Sequence, residues 1–167
     1  MKTILNAALV LCLALMVYKV SAQNNEPQPS APLRDVKTIQ VEPTVVPNAE
    51  KVKDPSAPNL VQDSLKNALR IANIEIAENA PVRAHIVLDE FTSGSMAKRF
   101  WVGMGAGRSA VTCRLVLQDS SGKELANTKI HVRGNLAFSP YQGNNTQRRQ
   151  AVSSFEQRLL EEIERMK

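Results

Sequence analysis

The sequence predicts an α/β sandwich of the α+β kind. A single domain carries a mixed, mostly antiparallel sheet of four to five strands, packed against two helices. Three observations predict it. A period-two pattern runs from Ala110 to Arg133 and turns at Asp119–Gly122. Amphipathic helix patterns run from Asn59 to Ala72 and from Gln147 to Met166. The order strand, helix, strand, strand, hairpin, helix suits two helices laid on one sheet. The length of 167 residues fits one domain, and an apolar fraction of 43% suffices for its core.

In the hairpin, Val111, Cys113, Leu115 and Leu117 alternate with Thr112, Arg114 and Gln118. Such alternation marks a half-buried strand. Asp119 and Ser120 start a turn through side-chain to backbone hydrogen bonds, and Gly122 supplies a positive φ. The return strand alternates Ala126, Thr128, Ile130 and Val132 with Asn127, Lys129, His131 and Arg133.

Gly103, Gly105 and Gly107 precede the hairpin. A glycine loop can bring backbone N–H groups to a phosphate. The details point elsewhere. A dinucleotide fingerprint needs a third glycine at position 108, which is Arg108, and a helix where a strand follows. The structural reading is a sharp or bulged approach to the strand.

Gly94-Ser95, Arg99, Gly103-Met104-Gly105-Ala106-Gly107 and the strand closing in Asp119-Ser120-Ser121-Gly122 together carry a resemblance. The pattern resembles a bacterial family known as domain of unknown function 4410. The resemblance spans roughly residues 35 to 166 and is strongest from Leu88 to Leu125. It implies a small protein of the cell envelope, secreted or lipidated, with an α/β shape. It implies no catalytic residues.

Met1 to Ala22 reads as a secretory signal peptide. Lys2 gives the positive start, Ile4 to Val17 the apolar core, and Val20-Ser21-Ala22 the cleavage site before Gln23. The apolar run is short for a membrane span, which needs about 20 residues. Cys12 lies mid-run after Leu11, a poor lipidation site, which argues against a lipid anchor and departs from the lipidated relatives. Residues 23–34, rich in Pro, Gln and Asn, read as a disordered tether, leaving 35–167 as the folded domain.

Within that domain Val36 to Glu42 reads as a strand suited to a sheet edge, confined by Pro43. Asn59 is placed to cap the first helix, with Gln62 three residues on. Val61, Leu65, Ala68, Leu69 and Ala72 make its apolar face. Ile74-Glu75-Ile76 suits a short strand. Arg83 to Phe91 reads as a strand with Ala84, Ile86 and Leu88 on one face and Val87 and Phe91 on the other. Apolar residues on both faces predict a central strand covered on each side. Asn135 to Gln147 reads as a long polar loop. Val152, Phe155, Leu159, Ile163 and Met166 form the core stripe of the last helix.

Charge and chemistry narrow the function classes. Loss of residues 1–22 reduces Lys and Arg from 21 to 19 against 16 acids, leaving +3. That weak charge, with aromatic and basic residues joined only at Lys98-Arg99-Phe100-Trp101, argues against nucleic acid. Cys113 falls on the apolar face and reads as structural. His85 and His131 sit mid-strand. Metal-ligand spacing is absent, so neither metal nor cofactor is expected. Asp89 and Glu90, as neighbours on a strand, are expected on opposite faces. Glu161 and Glu162 are expected on a solvated helix face. The reading is a non-enzymatic exported envelope protein that binds another envelope component or assists assembly. Its candidate contacts are Lys98, Arg99, Trp101, Gly103, Gly105, Gly107 and Arg108. The alternative is a small anionic-ligand or nucleotide-binding module using the Gly103–Gly107 loop.

Overall fold

The structure, a computed structural model, describes residues 31–93, 109–133 and 144–167. Five strands form one sheet: β1 (Thr38–Val41), β2 (Glu75–Ile76), β3 (Val82–Ser93), β4 (Ser109–Asp119) and β5 (Glu124–Arg133). Their spatial order is β2-β1-β3-β4-β5. β1 runs parallel to both β2 and β3, whereas β3, β4 and β5 are antiparallel. Helix α1 (Ala57–Ile71) links β1 to β2, and α2 (Asn144–Arg165) follows β5. This is the mixed α+β sheet with two helices that the sequence predicts.

The period-two residues of β3 and β4 make the inner face. Ala84, Ile86, Leu88, Val111, Cys113, Leu115 and Leu117 are buried there. They share one core with Val61, Leu65, Ala68 and Leu69 of α1 and with Ala151, Phe155, Leu159 and Ile163 of α2. Both helices thus bury their apolar stripes on the same side. Each fully buried Leu, Ile or Phe contributes about 1.5–3 kcal/mol of transfer free energy. Leu33, within the stretch read as tether, is also buried, and its N–H donates to the Met166 carbonyl at 2.9 Å.

Several boundaries differ from expectation for physical reasons. α1 begins at Ala57 rather than after Asn59, with Pro58 in its first turn. Its N-cap, Ser56, makes no capping hydrogen bond, because its hydroxyl is taken by Asp54 and Arg148. At its far end Asn73 adopts φ 58° and the Ile74 N–H donates to the Leu69 carbonyl, a Schellman-type stop. β1 is not an edge strand, since two residues of β2 pair outside it. α2 starts at Asn144, so the polar stretch read as a loop to Gln147 is helical from there.

β3 is central, but both described helices pack on the same side of it. A register shift between Leu88 and Glu90 inserts one residue, a β-bulge. Leu88 therefore faces Cys113 while Phe91 faces Val111, and both point to the core. Phe91, expected on the face opposite Leu88, is moved inward by that extra residue. Past Val41 the chain continues along β3 irregularly: Val45 bridges Val87, and Val52 bridges Phe91.

Candidate functional site

The sequence-predicted contacts Lys98, Arg99, Trp101, Gly103, Gly105, Gly107 and Arg108 lie outside the described residues, as do residues 134–143. Their anchors are described. Ser93 pairs with Ser109, and Ala110 pairs with Arg133. Both undescribed connections therefore leave from one end of the sheet, where β3, β4 and β5 meet side by side.

The bulge sets the chemistry of the outer sheet face beside that end. Glu90 pairs across with Thr112, whose neighbours Val111 and Cys113 face inward, so Glu90 points outward. Asp89 points outward too: its carboxylate receives Arg114 Nε at 3.3 Å and an Arg114 terminal nitrogen at 3.2 Å. The expectation that these two acids occupy opposite faces is therefore overturned. An alternating strand separates neighbours, and the inserted residue cancels that alternation. The apolar pair Leu88 and Phe91, three apart, was the signal for it.

On the same face Arg114 lies directly opposite Lys129. Like charges so placed disfavour the pairing unless something neutralises them. Asp89 does so for Arg114. Lys129 has no hydrogen-bond or ion-pair partner among the described residues. One rung away, Thr112 Oγ1 lies 2.8 Å from His131 Nδ1, and Arg133 Nε donates to His131 Nε2 at 3.1 Å. Nε2 must then carry the lone pair and Nδ1 the proton. His131 donates to Thr112 in this arrangement, so it is not set to take a proton from that hydroxyl, as a nucleophile's base must.

At the other end of the face Glu42 lies 3.7 Å from Arg83 and 3.7 Å from His85 Nδ1. The second distance is too long for a hydrogen bond, and Nδ1 is buried without one. Cys113 is fully buried. Burial first, then the Asp89 charge, pushes its thiol up to about 12, so it stays protonated and unreactive. Among the described residues no group of three His, Cys, Asp or Glu is placed to hold a metal ion.

Two features lie away from this face. Glu162, expected on a solvated face, is only 4% exposed, gripped by Arg158 and Arg165 of its own helix. A groove of about 530 Å³ lies between the helices, lined by Leu60, Arg148, Arg149, Val152, Ser153 and Glu156. Arg148 is tied down there: its Nε lies 3.1 Å from Asp54. Burial acts to raise the Asp54 carboxyl. Hydrogen bonds from the Ser56 hydroxyl and N–H, with the Arg148 charge, outweigh it and hold the group below its usual range.

Residues 17–136 match the family described as domain of unknown function DUF4410. The chain belongs to that family. No curated protein matches this DUF4410 chain. Solved structures with a similar fold include two PelC dodecamers from Paraburkholderia phytofirmans. One, carrying a Leu-to-Met substitution, is 18% identical with TM-score 0.51, covering 80% of this chain and 88% of that one. The other is 17% identical with TM-score 0.51, covering 80% and 90%. A third, described as an uncharacterized protein, is 11% identical with TM-score 0.51, covering 78% and 92%. At these identities the likeness concerns the fold alone. No helix among the described residues is long and apolar enough to cross a membrane.

Proposed function

We propose that this DUF4410 protein is an exported, non-catalytic component of the bacterial cell envelope that works by binding and assembly. The observation that carries the reading is the outer sheet face. Among the described residues no helix covers it, and it bears charged side chains along three strands. The hydroxyl–imidazole pair Thr112–His131 has its proton on the wrong side for activating a nucleophile, and Cys113 beneath the face is protonated. Such a face is suited to contact rather than to turnover. Export rests on the signal-like residues 1–22, with cleavage before Gln23 and no lipid anchor. The PelC structures are dodecamers, which supports self-assembly of this chain into a multimer as part of the same role.

Expression in a Gram-negative host, followed by fractionation, intact mass and light scattering, tests this. The expected result is a mass for Gln23–Lys167 in the soluble periplasmic fraction, in a defined multimer. A full-length mass in the membrane fraction refutes cleavage and makes residues 1–22 an anchor. A cytoplasmic, uncleaved protein refutes export.

A further inference from the structure

We infer that the outer edge of β5 takes an extended acidic segment of another protein as an added strand of the sheet. The inference rests on the reading of this protein as a binding and assembly component and names the kind of partner. The sheet has two ends. One is the two-residue β2; the other is the ten-residue β5, Glu124–Arg133, beyond which no described strand pairs. An unpaired strand of that length presents a row of backbone N–H and C=O groups, the template used in strand addition.

The side chains of β5 say what would pair there. Toward the outer face it presents Asn127, Lys129, His131 and Arg133, all exposed. Toward the inner face Ala126, Thr128 and Val132 are only half-buried, and Ile130 is buried. An added strand therefore meets basic groups on one side and incompletely covered apolar groups on the other. Among the described residues Lys129 lacks any partner, and Arg133 has only the His131 ring and no carboxylate. Acidic residues alternating with apolar ones match both sides at once.

The same charges argue against other occupants. A second β5 packed antiparallel would bring Lys129, His131 and Arg133 against their own kind. An anionic bilayer covering the whole face would also meet Asp89, Glu90 and Glu42, which repel it. A single acidic strand along the edge avoids both conflicts.

The test uses purified mature protein and two short synthetic peptides. One alternates Glu with Val and Thr; the other carries Lys in place of Glu. Amide hydrogen exchange and affinity are read at low and physiological salt. The acidic peptide is expected to bind, to slow exchange along β5, and to weaken as salt rises. K129E/R133E is expected to weaken it at least about tenfold and to favour the basic peptide. K129Q/R133Q, with thermal melting of both variants, separates lost charge from lost fold. No binding of the acidic peptide overturns the inference. So does equal binding of both peptides, protection away from β5, or indifference to charge reversal. Each of these leaves the envelope reading standing, because fractionation and mass decide that separately.

Discussion

Removing the Asp54 carboxylate tests how the two helices are tied at their N-terminal ends. Its Oδ1 accepts from the Ser56 N–H at 3.0 Å and from the Ser56 hydroxyl at 2.6 Å, and its Oδ2 lies 3.1 Å from Arg148 Nε. Two hydrogen bonds at about 0.5–1.5 kcal/mol each and a partly exposed ion pair at about 0.2–1 kcal/mol give about 2 kcal/mol for Asp54→Ala. For a domain of this size that lowers Tm by about 8 °C. Asp54→Asn keeps an acceptor for Ser56 and loses only the charge, so it costs about 1 kcal/mol. The pH dependence follows from the sign of the shift. The folded carboxyl lies below its ordinary 3.8, so its stabilisation is present above that value and is lost as pH falls through the folded one. Urea denaturation of the wild-type protein and both variants from neutral to strongly acid pH is the assay. The gap between wild type and Asp54→Ala should close on acidification. A gap that stays constant with pH, or an Asn variant as weak as the Ala variant, would refute the reasoning.

Three further outcomes follow from the packing. Phe155→Ala empties a fully buried position between α2 and the sheet and should cost about 3–5 kcal/mol in denaturant melts. Gly122→Ala has open space for its Cβ, but its φ of 85° strains any L side chain, so a loss of about 1–2 kcal/mol is expected. A neutral result in thermal melts would mean that the turn relaxes. Cys113 should resist a thiol reagent at neutral pH and react only at the rate of global unfolding, since its thiol is buried and protonated. Fast labelling of the native protein would contradict that environment.

Local patterns made much of this protein legible. The alternation from Val111 to Val132, with Asp119 and Gly122 between, encodes a hairpin because each residue's face follows from its parity. The turn forms as those residues dictate: Asp119 accepts from the Ser121 hydroxyl and N–H and from the Lys123 N–H. The helical stripes through Leu65 and Leu69, and through Phe155, Leu159 and Ile163, are equally local. The glycine stretch and its strand carried the family resemblance, which the match over residues 17–136 now shows.

Distant partners are set by the fold instead. Parity fails at Asp89, because a bulge is set by the register against β4, and that one residue puts two acids on one face. No pattern at Ser56 reveals that Arg148 claims its hydroxyl, and none at Glu162 reveals that the packed helix buries it beside its own arginines. β2 reaches the sheet edge because its two residues pair with β1, 37 positions earlier, and loop closure of that kind leaves no local trace. Period and turn chemistry act within a few residues and are written in the sequence. Strand order, the place of β5 at the end of the described sheet and the rows of charge across three strands come from contacts between distant residues, which the fold alone brings together.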